Sequence, residues 1–397
     1  MIRSQAEALD YTPAQYEVLL RVRRLGAAVI GPSAKETDRE GRYPYTGINA
    51  LRVAGFTGLS VPVKDGGLGA GYRGDAVLLT AVLMELASWC SSTSQIFALH
   101  NTGVQLVHAL GTAEQQQFFF KEAVEGHLFA SFGSEANKDR TALTSVLEHT
   151  DGGYLLNGKK IFATGSPGAK WAFWRSVSAE ASGSQDERYM MPIVQLSADG
   201  VTVSDDWDGI GQRGTGSGRV EAVNVFVPDG HVAGGPGAYS ACSSFFAAQF
   251  HVNFAAQFVG MAAGAFREAR QYILEQARPW QGAGRAAEDP FTLLRMGDMA
   301  VRIDSARQLV LRASRLLGAC HEQPELLPEA QTAASRAKVA ATDAALEVTG
   351  SVFQVMGARA ASRKYGIDMY YRNARTLTLH DPVDRQREAV GRYELGQ

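Results

Sequence analysis

The chain has 397 residues, 45% of them apolar, and a formal net charge of −2 at neutral pH. That length supports two or three domains with substantial cores, and the balanced charge, with no block rich in lysine and arginine, argues against a nucleic-acid binder. No apolar run reaches the roughly 18 residues of a membrane span, and the cysteines, Cys90, Cys242 and Cys320, are scattered and odd in number. They predict a reducing, cytoplasmic setting without a disulfide framework.

Residues 1–122 read as an N-terminal helical domain. Its opening, MIRSQAEALDYTPAQYEVLL, has acids early and no apolar core, so it does not resemble a signal peptide. Stretches 81–87 and 99–110 are rich in alanine, leucine and valine, and Asp65-Gly66-Gly67-Leu68-Gly69 marks a loop between helices. Thr112 with Gln115 three positions on has capping-box spacing ahead of an apolar face.

Residues 123–235 change character and predict a small antiparallel β domain. Asn157-Gly158 between two apolar runs predicts a hairpin turn. Its second arm, Lys159 to Ser166, would alternate so that Phe162 and Thr164 share a face. MMPIVQL, VTVS and RVEAVNVFVP follow as strand candidates. Residues 236–397 return to helix. Long segments with apolar residues three and four apart predict a bundle about 20° off antiparallel, interrupted by the polar loop 277–290.

Several short segments carry chemistry. Phe132 to Asn137 fits either a helix-to-strand turn capped by Ser134 or a contact for a planar heterocycle with carbonyl oxygens. Phe162 and Thr164 fit a half-buried strand or a flavin edge. Gly209-Ile210-Gly211-Gln212-Arg213-Gly214 matches GxGxxG, but a strand follows it, so no dinucleotide site is expected. Its glycines would let a loop approach another backbone or a ligand. No HExxH, paired Cys/His spacing, GxSxG or Walker motif is present, and no metal centre is predicted.

Near the C-terminus, Arg372, Arg375, His380 and Asp381 fall within ten positions. Burying them together would be costly unless they serve one another or a ligand. A phosphate would explain the arginines and a reactive centre the histidine. Asp381 before Pro382 also reads as a helix N-cap.

Ser134-Glu135 followed by GKKIFAT resembles the acyl-CoA dehydrogenase pattern of a (T/S)E loop and a GKK-aromatic-x-T strand. Trp207 to Arg213 followed by Thr215-Gly216-Ser217-Gly218, Ala277-Arg278-Pro279-Trp280, Glu288-Asp289-Pro290, Arg372-Asn373-Ala374-Arg375 and Leu379-His380-Asp381-Pro382 are similar to one branch of that fold, the dibenzothiophene monooxygenase type of flavin-dependent monooxygenase. The resemblance implies a mainly α chain with a central β-barrel-like domain and a C-terminal four-helix bundle. It also implies a homotetramer in the cytoplasm.

The resemblance further implies reduced FMN delivered by a separate flavin reductase, with FAD as an alternative, and an oxygen reaction through a C4a-hydroperoxyflavin. The product would be an oxygenated small molecule, aromatic or bearing sulfur or nitrogen. Thr164 would lie near flavin N5. Phe132, Ser134, Ala136 and Asn137 would line the pyrimidine edge, beside Phe162, Trp207 and Arg213. Arg278 and Arg372 would hold the phosphate. His380 would stabilise or protonate the peroxy oxygen, and His100 would either face it or be a packed core histidine. Phe245, Phe246, Phe250 and His251 would line the substrate pocket or form a core helix. The competing enzyme reading is an FAD-dependent acyl-CoA dehydrogenase or oxidase. Against it, His380-Asp381 stand where those enzymes carry Tyr-Glu, and the shorter side chain misplaces a base that must reach an α-C–H.

Overall fold

The computed structural model describes residues 7–139, 142–280 and 284–397; the first six residues of the N-terminal stretch and part of the 277–290 connection lie outside them. The N-terminal helices are α1 (Pro13–Leu25), α2 (Gly31–Glu40), α3 (Tyr45–Val53), α4 (Ala76–Trp89), α5 (Ser91–Leu110) and α6 (Ala113–Val124). The Thr112/Gln115 capping box opens α6 as its spacing predicts, and Thr12 with Gln15 builds a second one at α1. Helices α4 and α5 are buried nearly all round. That explains apolar segments with no polar stripe.

Strands occupy the middle of the chain: β1 (Phe129–Phe132), β2 (Val146–Thr150), β3 (Gly153–Lys160), β4 (Trp171–Trp174), β5 (Ser176–Ser178), β6 (Tyr189–Met190), β7 (Ile193–Gln195), β8 (Val201–Val203) and β9 (Val220–Pro228). They form one sheet in the order β1-β4-β7 and another in the order β6-β5-β2-β3-β9-β8. The expectation of an all-antiparallel domain needs correction, because β1–β4 and β2–β5 pair in parallel. The β2–β3 hairpin lies between β1 and β4 in the chain and returns it to the same end of the domain.

Asn157-Gly158 is not the hairpin turn. The turn falls at Asp151-Gly152, and β3 runs straight through Asn157 with a bulge between Leu156 and Gly158. The dipeptide serves a packing need instead. A Cβ on Gly158 would lie 2.1 Å from the Ser145 hydroxyl oxygen, and the Asn157 amide pairs with Asn224 across the sheet. Strand β3 also ends at Lys160, and Phe162 takes a left-handed φ of 53°. Phe162 and Thr164 therefore belong to a turn rather than to an alternating strand.

The C-terminal helices are α7 (Ser240–Glu275), α8 (Pro290–Ala319), α9 (Leu327–Met356), α10 (Asp368–Leu377) and α11 (Val383–Glu394). Asp289 caps α8, accepting from the Thr292 N–H, with Pro290 in the first turn. A single apolar core joins the N-terminal helices to this bundle, while a second core fills the β domain. Helix α11 begins one residue after Pro382, and Asp381 does not cap it; its carboxylate turns inward to Lys338 instead. Among the described residues no helix is long and apolar enough to cross a membrane.

Candidate functional site

Two loops meet at the edge of the β domain. The Ile161 N–H donates to the Ser134 carbonyl at 3.0 Å, which holds the loop after β1 against the turn after β3. The result is a ledge with Ser134, Ala136 and Phe162 exposed. The Phe162 ring is 60% exposed and stands edge-on to Trp207 at 6.2 Å, an unusual exposure for a phenylalanine in the second core's neighbourhood. Two neighbours expected to line this edge do other work. The Phe132 ring is buried against Trp174 in the barrel core, and the Asn137 amide donates to Glu135 and to the Ala142 carbonyl.

Beneath the ledge lies an ion pair that the sequence reading did not single out. The Lys160 ammonium is fully buried, 2.6 Å from Glu135, and also donates to the Arg175 carbonyl. Glu135 accepts further bonds from the backbone and hydroxyls of Thr144 and Ser145. Burial alone would raise the Glu135 pKa, but these donors outweigh it and hold the carboxyl down at about 2. Burial pushes Lys160 down to about 8 despite its partner. The motif lysine and the motif glutamate thus tie the two loops of the ledge together.

Thr164 heads a chain of hydroxyls with a fixed direction. Its oxygen lies 2.7 Å from Ser217, and Ser217 lies 2.7 Å from Thr215. Thr215 donates to the Gln212 carbonyl, so Ser217 must donate to Thr215 and Thr164 must donate to Ser217. Thr164 is left with acceptor lone pairs for anything that approaches it. Gln212 is a hub of this arrangement. Its N–H donates to the Asn373 side chain, its amide to Ser91, and its carbonyl accepts from Trp207. The glycine loop therefore does approach another backbone: a Cβ on Gly211 would sit 2.1 Å from the Arg372 carbonyl oxygen. Gly211→Ala is expected to force α10 away and cost about 1–3 kcal/mol of stability, read as a lower denaturant midpoint.

The arginines need correction. The Arg372 guanidinium is spent on Asp38, on Asp368 at 2.8 Å and on the Ile210 carbonyl at 2.9 Å, so it clamps the glycine loop and is not free for a phosphate. Arg213 donates to the Asp38 carbonyl and faces a recess of about 320 Å³ that also holds Glu40, Asp205, Asp206 and Asp208, a setting hostile to an anion. Arg278 is exposed with Trp280 on the loop after α7 and forms no ion pair among the described residues. Arg375 is exposed and, among the described residues, its side chain reaches Thr378, so no ion pair joins the four C-terminal charges to one another there.

His100 is a core histidine. It is fully buried, donates from Nε2 to the Thr57 carbonyl at 2.8 Å, and accepts at Nδ1 from the Phe129 N–H at 3.1 Å. Both ring nitrogens are satisfied by backbone, and burial lowers its pKa to about 4. It has no capacity left for a reacting group.

His380 is different. Its ring tilts over Phe254 at 4.5 Å and Phe250 at 5.3 Å, and neither ring nitrogen has a partner among the described residues. The side chain is exposed, and desolvation by the groups packed around it, reinforced by Lys338, pulls its pKa down to about 4. The imidazole is thus neutral at physiological pH rather than poised near its midpoint. Asp381 beside it is committed to Lys338 and to His251 at 3.0 Å, with Gln386 adding a third donor. Burial would raise this carboxyl, but His251 and Lys338 hold it far below the usual range. On α7, Phe245 and Phe246 are buried around Tyr72, while Phe250 and Phe254 adjoin His380. Glu122, Glu125 and His127 bring ligand atoms within 4.8 Å of one another, but Glu122 already serves Lys170 and Trp171.

Three models of acyl-CoA dehydrogenase domains match the chain in order: N-terminal over residues 12–127, middle over 133–225 and C-terminal over 252–385. Dibenzothiophene monooxygenase of Rhodococcus qingshengii is 33% identical over 91% of this chain and 89% of its own length. A probable FMNH2-dependent monooxygenase, SfnC of Pseudomonas putida, is 33% identical over 95% and 94%. FMN-bound TdsC from Paenibacillus sp. A11-2 superposes with a TM-score of 0.90 at 27% identity, over 96% of this chain and 97% of that one.

Proposed function

This chain belongs to the acyl-CoA dehydrogenase family and is one of its flavin-dependent monooxygenases with FMN as cofactor; we propose that it is the oxygenase half of a two-component system. A separate flavin reductase supplies reduced FMN, and the substrate is a small sulfur compound. The working form is a cytoplasmic homotetramer. When bound, the reduced flavin supplies two electrons and activates dioxygen for transfer of one oxygen atom.

The observation that carries this reading over a dehydrogenase is the state of Asp381 and His380. A dehydrogenase of the commonest type needs a free carboxylate base in this region. Here the only carboxylate beside His380 in the motif is locked by a buried lysine and a histidine, while the unpartnered group is a neutral imidazole. Anaerobic addition of acyl-CoA thioesters to the oxidised holoprotein should leave the flavin colour unchanged; bleaching would restore the dehydrogenase reading.

The ledge suits a flavin. Phe162 and Trp207 offer aromatic faces, Ser134 and Ala136 offer an accessible loop, and Thr164 offers an acceptor. Reduced flavin carries a proton on N5, whereas oxidised flavin presents a lone pair there. The direction of the hydroxyl chain therefore favours the reduced form. Reduced FMN is expected to bind about tenfold or more tightly than oxidised FMN, since one matched hydrogen bond against one mismatched is worth roughly 1–3 kcal/mol. Ser217→Ala frees the Thr164 proton, and anaerobic titration should then show oxidised FMN gaining affinity while reduced FMN does not. An unchanged ratio in that variant would remove Thr164 from the N5 position.

A further inference from the structure

We propose that Lys338 is a positioning residue for His380: from inside the bundle its ammonium grips both the carboxylate and the backbone carbonyl of Asp381, and so fixes the place of the imidazole. This deepens the oxygenase reading above and rests on it for the use made of His380.

Lys338 lies in the middle of α9 with 2% of its surface exposed, among the buried Ala334, Ala337 and Ala341. A lysine is almost never so enclosed without a partner. Its Nζ donates to the Asp381 carboxylate and, at 3.1 Å, to the Asp381 carbonyl. One contact to the side chain and one to the main chain of the same residue stop the turn between α10 and α11 from swinging. The same carboxylate oxygen lies 3.0 Å from His251 Nε2 on α7 and accepts from Gln386 on α11. The Gln386 side-chain oxygen in turn accepts from Ser335, three residues before Lys338. Three helices are thereby pinned on Asp381, the residue that follows His380.

Phe254 links the clamp to the ring. The His380 and Phe254 ring centroids are 4.5 Å apart, and the Lys338 ammonium is 5.8 Å from the Phe254 centroid. A charge at that range acts on the imidazole as well as on the turn. The ionisable groups facing His380 are Lys338 from α9, Asp381 beside it in the chain, Arg175 just after β4 and His251 from α7. Desolvation is the largest influence on the ring and Lys338 the next, and both oppose a proton there. Asp381 favours one less strongly, its carboxylate being spent on Lys338. A buried ion pair contributes little net stability once desolvation is counted. What it supplies here is a fixed turn and a neutral ring, able to donate from one nitrogen and accept at the other.

The test reads the imidazole without flavin or substrate. Diethyl pyrocarbonate acylates the neutral ring and not the charged one, and His380 is exposed to it. Trypsin then releases residues 376–385, which hold no other histidine, so mass spectrometry follows this site alone in the full chain. The wild-type ring takes its proton near pH 4, so at pH 5 it should react at about nine-tenths of its neutral rate, and Lys338→Met at about half, as a midpoint about one pH unit higher requires. At pH 8, where the ring is neutral in both, the freed turn of Lys338→Met should react severalfold faster. That variant leaves Asp381 with His251 and Gln386 alone and loses stability. If it fails to fold, Lys338→Met with Asp381→Asn removes the stranded charge. The double variant should still react faster at pH 8 and move the acid limb in the same direction by less, because Lys338 acts on the ring more strongly than Asp381. Wild-type rates and pH profile in either folded variant overturn the proposal. So does a lowered denaturant midpoint with no change at His380, which would make Lys338 a structural residue only. Full coupling of oxygen use to product in His380→Ala would instead sink the oxygen-transfer role of the ring and leave the clamp standing.

Discussion

Lys160→Met is expected to destabilise the chain by about 3–5 kcal/mol, the usual cost of removing one partner from a buried ion pair. The loss is asymmetric. Methionine fills the lysine's volume, so little packing is lost, but Glu135 remains enclosed with a charge that only hydroxyls and amides address. It also loses the bond that ties β3 to the Arg175 carbonyl. Chemical denaturation should show a lower midpoint with an unchanged slope. The double variant Lys160→Met with Glu135→Leu should recover much of the loss, because no stranded charge is left. Recovery of stability without recovery of FMN binding would separate the two roles of the pair. The acid limb supplies an independent sign check. The Glu135 pKa is lower folded than unfolded, so its stabilisation is complete above 4.5 and disappears as pH falls toward about 2. The wild type should lose stability across that window, and the double variant should lose less.

The architecture was readable because its signals are local and repeated. Helical periodicity, the capping box at Thr112 and the strand-rich middle each depend on neighbours within a few positions. The misreadings have one cause. Asn157-Gly158 satisfies a turn and a bulge equally well, and what decides between them is Ser145 pressing on Gly158, a contact across strands. Arg372 looked like a phosphate ligand because its charge is visible locally while Asp38, 334 positions away, is not. His100 stayed open between a reactive and a core role for the same reason: its two backbone partners lie on other elements.

His380→Ala is expected to preserve flavin affinity and to break the link between oxygen consumption and product. Neither nitrogen of the imidazole has a partner among the described residues, and its ring lies against Phe250 and Phe254. Its neutral state at physiological pH lets one nitrogen donate and the other accept, whereas an imidazolium could only donate. In the proposed role, its removal would open space for water at the reacting oxygen and take away the donor that would stabilise charge there. Product formed per oxygen consumed should fall by about a hundredfold, the lower range for losing a positioned proton-transfer group, with hydrogen peroxide making up the difference. The pH dependence has a definite sign. The folded pKa of about 4 lies below the ordinary value of 6.5, so the group binds fewer protons folded than unfolded between those values. Its contribution to stability is therefore fully present above 6.5 and declines as pH falls toward 4. Wild-type coupling should be level from about pH 5.5 to 8 and drop as the ring charges below that. His380→Ala should show no such acid-side drop. A coupling ratio equal to the wild type's at neutral pH would leave the imidazole without a part in oxygen transfer.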